Sequence, residues 1–304
     1  MPTKAVQYAE YGAPEVLRLV DVDTPQPGPG QVRVAVRAAG VNPRDAKLRG
    51  GRFATAPLAE PAGVGVELAG TIDAVGPGVA TWQLGRPVFG RSATRDAVAT
   101  HALAPADDLV AKPDWLSFEQ AAALPIAVET AYRGLAQLGV EAGTTLLIHA
   151  AAGGVGLVAT QLASVRGLTV VGTVSEANRE AYAKLGAIAV DYAGEGLAER
   201  IRAAAPSVDY VLDAYGHDLL GLSVELTGDP GRVVTLADPT ATEHGVHLSI
   251  ESFPIPQVMA DVLPLIEAGR VVLPVEAAFP IADAASAYRR VESGHRQGKI
   301  VITV

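Results

Sequence analysis

The stretch TLLIHAAAGGVG at residues 145–156, continued by the apolar segment LVATQLASV, constrains this chain more than any other. Leu146, Leu147 and Ile148 form a short apolar run suited to a strand buried on both faces. Ala150, Ala151, Ala152, Gly153 and Gly154 are all small, and the segment after them has a helical period. The order is strand, tight turn, helix. A helix starting at such a turn offers free N–H groups and a positive dipole end to an anion. Set against G-x-G-x-x-G, the turn reads Ala151-x-Gly153-x-x-Gly156, with Ala151 in the first glycine's place. Gly153 lets backbone approach a phosphate, and Gly156 lets the helix pack on the strand. Ala152, Gly153, Gly154, Val155 and Gly156 are thus the candidate dinucleotide-binding residues. The alternative is a tight βα turn with no ligand.

Strands and helices alternate from this point. Strands are expected at 168–174, 187–190, 208–213 and 232–236, with helices between them and a last helix at 256–269. This pattern predicts a doubly wound α/β domain built on a parallel sheet. The first third reads differently. Segments 4–8, 16–22, 31–39, 65–75, 86–89, 101–105 and 109–112 alternate or run apolar between Gly- and Pro-rich turns, which predicts a small β-rich, barrel-like domain. The stretch 40–51, GVNPRDAKLRGG, reads as a polar turn, with Asp45, Lys47 and Arg49 solvated. Ser117 and Gln120 form a capping-box pattern, Pro125 interrupts that helix, and 127–139 is a second one. The tail reverts to a strand-like 271–279, a helical 282–294 and a strand at 299–304, and is expected to return to the first domain. The domains are therefore drawn as 1–120 with 270–304, around 121–269.

A formal charge of −9 argues against nucleic acid as a partner, since phosphate backbones call for basic surfaces. The chain has no cysteine, which excludes disulfides, thiol nucleophiles and thiolate zinc sites. Residues 142–165 carry no Asp, Glu, Lys or Arg, but the Gly-Gly turn and His149 make this a buried strand and helix rather than a membrane span. The start MPTKAVQYAEYG has no apolar core of signal-peptide type. The reading is a cytoplasmic protein with no membrane partner.

The end of the second strand, GTVS at 172–175, bears on the cofactor. A carboxylate here would accept from a ribose 2′-hydroxyl and repel a 2′-phosphate, whereas Ser175 and Arg179 can bind that phosphate. NADPH is favoured over NADH. Glu176 keeps NADH open, as either the ribose acid or an ordinary first-turn acid. Arg179 as a solvated helix residue is the bland alternative.

The stretches GVNPRDAKLRGG (40–51), GVELAGTIDAVGPGV (65–79), LPIAVETAYRGL (124–135), HAAAGGVG (149–156), VDYVLDAYG (208–216) and GKIVITV (298–304) resemble a known family along essentially the whole chain. The chain resembles zinc-independent medium-chain dehydrogenases/reductases of the quinone oxidoreductase, or zeta-crystallin-like, branch. The resemblance implies a GroES-like catalytic domain, split between the N-terminal part and the tail, around a Rossmann domain, with the substrate cleft between them. It also implies a homodimer paired through the Rossmann sheet edge, for which VHLSI at 246–250 is the candidate strand. At the positions where zinc relatives carry a catalytic Cys and a Gly-His-Glu, this chain has Asn42 and Gly65-Val66-Glu67. Neither Asn nor Val is a plausible ligand. His244 and His247 fall on opposite faces of an expected strand, so no metal is expected.

Without a Lewis acid the site suits an acceptor that already delocalises charge, a quinone or an α,β-unsaturated carbonyl. Asn42 either hydrogen-bonds the substrate carbonyl or the nicotinamide ribose, or is a turn residue before Pro43. Thr130 matches the family's threonine near the nicotinamide; the alternative is a hydroxyl bonded to its own helix. Tyr192 resembles a family tyrosine near the adenosine end. Phe53 and Phe253 either line the substrate pocket or are core. The expected function is an NADPH-dependent quinone or enone reductase. The competing readings are a metal-free alcohol dehydrogenase of the same fold and a crystallin-like dinucleotide-binding protein with little activity.

Overall fold

The computed structural model describes residues 2–294 and 297–304. Its centre is a parallel six-stranded sheet: Thr145–His149 lies between Thr169–Val174 and Tyr210–Asp213, with Ile188–Asp191 outside the former and Val233–Thr235 then His247–Leu248 outside the latter. Numbered along the chain, the strand order is 3-2-1-4-5-6, the doubly wound arrangement with its crevice at the first strand's carboxyl end. Leu146 and Ile148 pack into one apolar cluster and Leu147 into another, so both faces of the first strand are covered. This is why its sequence runs apolar without alternation.

The second body is a largely antiparallel sheet around the long strand Gln31–Val41, which pairs with Glu67–Val75 on one side and with His101–Pro105 and the tail strand Lys299–Thr303 along its length, the edge strand Val275–Pro280 joining the tail strand in parallel. The tail strand thus joins the N-terminal third. Three further strands, Arg18–Val22, Thr3–Tyr8 and Ala62–Gly63, form a small separate sheet. Arg18–Val22 begins later than its sequence suggests because Pro14–Val16 takes a 3-10 turn. Likewise the tail strand-like segment is ordered as Val275–Pro280 and the helix after it as Ala284–Glu292.

Three local expectations fail for physical reasons. The helix Phe118–Leu138 is continuous through Pro125. Its start is capped as expected, Gln120 N–H donating to Ser117 Oγ at 3.1 Å and Ser117 N–H to Gln120 Oε1 at 3.0 Å. A mid-helix proline removes a donor and crowds the preceding turn. Here the next N–H, Ile126, donates to Glu67 Oε2 at 2.8 Å, and the helix packs between the two large sheets. The polar segment 40–51 is not a turn: Asn42 caps the helix Pro43–Arg49, whose fixed proline φ suits the first position. On that helix Asp45 and Arg49 are buried, not solvated. The guanidinium of Arg49 lies over the Tyr288 ring and pairs with Glu292, so the tail helix Ala284–Glu292 covers them. Finally, His244 ends a 3-10 turn, Ala241–His244, and only His247 is in a strand.

Candidate active site

The turn after Thr145–His149 is strained at one place. Ala150 has φ +56°, a left-handed conformation that L side chains disfavour. The residue in the tight-turn position is therefore Ala150, not Ala151, and the motif reads Ala150-x-x-Gly153-x-x-Gly156. Ala151 is wholly buried. The glycines separate by role. A Cβ on Gly156 would lie 2.6 Å from Ala150 O and Ala151 Cα, so this glycine is required by helix-on-turn packing. A Cβ on Gly153 would meet nothing nearer than Ala150 O at 3.4 Å. The space over Gly153, the N-cap of Gly154–Val165, is open, with Ala152 and Val155 beside it. No side chain stands at Gly153 over the N-terminus of this 12-residue helix, which fits a pyrophosphate.

The second strand's end fits the other half of a dinucleotide. Ser175 is the N-cap of Glu176–Ala183, yet its side chain makes no cap bond. Its Oγ is buried and without a protein partner, an orphan of the kind a ligand oxygen satisfies. Arg179 is 57% exposed and reaches Glu176 Oε2 at 3.4 Å. The cation that suits NADPH and the acid that suits NADH therefore hold each other at the surface. Tyr192 follows the third strand, its N–H donating to Val174 O at 3.1 Å, and its ring is half exposed. Partial burial, with Tyr215 and Asp191 nearby, raises its phenol pKa.

The two bodies meet at this turn. Gly153 and Gly298 form an isolated parallel bridge, and Gly298 N–H donates to Ala152 O at 3.3 Å. The missing Cβ of Gly154 makes room for the stem of Lys299, whose Cδ would lie 2.9 Å away. From there Lys299 runs inward. Its Nζ donates to Glu67 Oε1 at 2.5 Å and to Asn42 Oδ1 at 2.7 Å, and Asn42 Nδ2 donates to the same Glu67 oxygen at 2.8 Å. All three side chains are buried. Asp45 joins through Asn42 N–H, 3.2 Å from its Oδ2. Burial, with Glu67 nearby, pushes the Asp45 carboxyl up to about 7, against the pull of Lys299 and Arg95. On the same helix, burial and Arg52 lower the Lys47 ammonium while Asp213 and Asp238 oppose them. Lys47 is thus within electrostatic reach of the strand ends of the parallel sheet.

The remaining expected residues are spread around this centre. Thr130 is half-buried on Phe118–Leu138, its Oγ1 3.4 Å from Glu129 Oε2. Glu129 is buried with Arg133, at 2.8 Å, and also accepts from Phe253 N–H at 2.8 Å; Arg133 donates to Ser249 Oγ. This pair anchors the segment after the sheet's edge strand beside Thr130. Phe253 packs edge-on to Tyr132, ring centroids 6.3 Å apart. Phe53 is 56% exposed and lines a cavity of about 450 Å³ with Tyr8, Tyr11, Leu48 and Leu58. Phe253 is not among the residues that line this cavity, so the two phenylalanines are not brought together. Beyond the expected residues, Glu67, Lys299 and the Glu129–Arg133 pair are buried ionic groups at the junction. Among the described residues no group of three His, Cys, Asp or Glu could hold a metal ion, and no helix is long and apolar enough to cross a membrane.

Comparison with known proteins agrees with this architecture. Residues 28–114 match the alcohol dehydrogenase GroES-like domain, and residues 185–302 match the zinc-binding dehydrogenase family. The chain is 32% identical to a quinone oxidoreductase of Pseudomonas aeruginosa, over 98% of this chain and 99% of that protein. The chain belongs to the quinone oxidoreductase family of medium-chain dehydrogenases/reductases. It is also 32% identical to a chloroplastic NADPH-dependent alkenal/one oxidoreductase of Arabidopsis thaliana, over 98% of this chain and 79% of the relative. Among solved structures, the Escherichia coli quinone oxidoreductase complexed with NADPH superposes with a TM-score of 0.90 at 27% identity, covering 99% of this chain and 100% of that one.

Proposed function

We propose that this protein is an NADPH-dependent reductase of quinones and α,β-unsaturated carbonyls. The observation that carries the reading is the junction at Gly153 and Gly298, where an open helix N-terminus meets the buried Asn42–Glu67–Lys299 cluster. The printed activities of the quinone and alkenal/one relatives and the NADPH complex support it. Bound NADPH would supply a hydride for the electron-poor carbon of the acceptor. The chain's part is to hold the pyrophosphate over Gly153–Gly156, to accept the 2′-phosphate at Ser175 and Arg179 with Tyr192 beside it, and to donate to the acceptor's oxygen from Asn42. Thr130 lies at the nicotinamide side, and Phe53 and Phe253 supply apolar walls for the acceptor. The acceptor's oxygen or α-carbon then takes a proton from solvent, which completes a two-electron reduction.

The same reading places residues 1–120 and 270–304 in the catalytic domain and 121–269 in the dinucleotide domain. It also includes a cytoplasmic homodimer. The short strand His247–Leu248 ends the parallel sheet, and Ile250 just beyond is 76% exposed, which leaves an edge for a second copy. Light scattering at micromolar concentration tests the dimer. The activity is tested by following NADPH absorbance with a panel of quinones and enones, with NADH and with simple alcohols plus NADP+. Turnover with quinones or enones is expected. Alcohol oxidation alone, or binding of NADPH without turnover, would overturn the proposal.

A further inference from the structure

Asn42 is held by two groups with opposite and fixed hydrogen-bonding character. An ammonium can only donate, and an ionised carboxylate can only accept. Lys299 Nζ sits 2.7 Å from Asn42 Oδ1, and Glu67 Oε1 sits 2.8 Å from Asn42 Nδ2. Flipping the amide would place N–H against ammonium and carbonyl oxygen against carboxylate, so only one orientation is allowed. The lock is itself held from outside the site. Glu67 Oε1 also accepts from Lys299 at 2.5 Å, and Glu67 Oε2 accepts the Ile126 N–H beside Pro125. The stem of Lys299 is seated on Gly154, at the dinucleotide turn. Asn42 Nδ2 carries two hydrogens and Glu67 uses one.

We propose that Lys299 and Glu67 are positioning residues that fix the Asn42 amide so that its second Nδ2 hydrogen is presented to the oxygen of the acceptor's carbonyl. This rests on the reductase reading above. A donor aimed in advance at an oxygen that gains negative charge during hydride transfer stabilises the transition state more than the ground state. A donor free to flip spends part of its time presenting an oxygen instead, which repels that charge. The pair therefore acts on turnover through Asn42, with NADPH binding left to the glycine turn and Ser175.

The test separates positioning from structural support. Lys299→Met alone leaves a buried carboxylate unpaired and is expected to destabilise the fold. The double variant Lys299→Met with Glu67→Gln removes both charges, keeps an acceptor for Ile126 N–H and keeps an apolar stem on Gly154. It is expected to fold and to bind NADPH as the wild type does by fluorescence titration, while kcat with quinones and enones falls about 10- to 100-fold, the range for a misplaced transition-state donor. Asn42→Ala alone should lower kcat to the same degree, and adding it to the double variant should produce no further loss, because all act through one N–H. If the folded double variant keeps wild-type kcat, or if the losses multiply when Asn42→Ala is added, the positioning role is overturned while the reductase reading stands. A wild type that oxidises NADPH with no acceptor in the panel overturns both together.

Discussion

Replacing Asp45 with Asn should change the pH dependence of folding, and the sign follows from where the carboxyl sits. Asp45 is buried on the helix Pro43–Arg49, near Glu67 and Tyr288. Its carboxyl is pushed from an ordinary 3.8 up to about 7, chiefly by burial and then by Glu67. Between pH 4 and 7 the folded chain holds this proton and the unfolded chain does not. Unfolding then releases a proton, so stability falls as pH rises through this window. At about 1.4 kcal/mol per pH unit, the interval of about three units amounts to about 4 kcal/mol. That stability is fully present below pH 4 and gone above pH 7.

His149 works in the opposite direction over nearly the same window. It is wholly buried at the end of the first parallel strand, and burial pushes its imidazole from 6.5 down to about 4, against the pull of Asp213. Between those values the unfolded chain binds the proton and the folded chain does not, so stability rises with pH by about 3 kcal/mol. The two groups nearly cancel in the wild type. Asp45→Asn keeps an acceptor for Asn42 N–H but no longer titrates. Urea unfolding at pH 4.5, 6 and 8 should show the variant gaining on the wild type as pH rises, by about 3–4 kcal/mol across the series. It should also expose the acid sensitivity that His149 confers. A variant-minus-wild-type stability difference that is constant with pH, or that falls toward pH 8, would refute the burial argument for Asp45.

Three further outcomes follow from the site. Gly153→Val should leave the fold intact, because a Cβ there meets only Ala150 O at 3.4 Å, and should weaken NADPH by at least about tenfold, ~1.4 kcal/mol; calorimetry showing unchanged affinity removes the turn from the cofactor site. Arg179→Ala should weaken NADPH by about tenfold or less and leave NADH alone, since a charge-assisted contact of about 1.5–3 kcal/mol is screened at an exposed guanidinium shared with Glu176; Glu176→Gln should tighten NADPH, and a wild type that prefers NADH would instead make Glu176 the ribose acid. Arg133→Met should destabilise the fold by about 3–5 kcal/mol by leaving Glu129 buried and unpaired; a thermal midpoint unchanged from wild type would show that the pair contributes nothing net.

What could be read from the residues and what could not divide along the range of the interactions. The run Leu146–Leu147–Ile148 and the apolar helix after it are decided by neighbours, and the doubly wound sheet is their direct consequence. Pro125 was legible only as a helix breaker, because the acceptor that makes it tolerable, Glu67, is 59 positions away from the Ile126 N–H it takes up. The segment 43–49 looked solvated because its polar residues are dense. Its cover, Tyr288 and Glu292, comes from the other end of the chain. Asn42 shows the limit most clearly. The resemblance put it at the reaction centre, but the partners that orient it sit 25 and 257 positions away. One signal for them was nonetheless present. Glu67 opens the strand ELAGTIDAV, five uncharged residues ahead of the half-buried Asp73, and Lys299 opens KIVIT, so each is a charge at the buried head of its strand. A charge that enters a core with its strand must find a partner there. Two of opposite sign, each at the start of a strand of one sheet, are the natural pair, and their meeting point marks where the tail strand closes over the site.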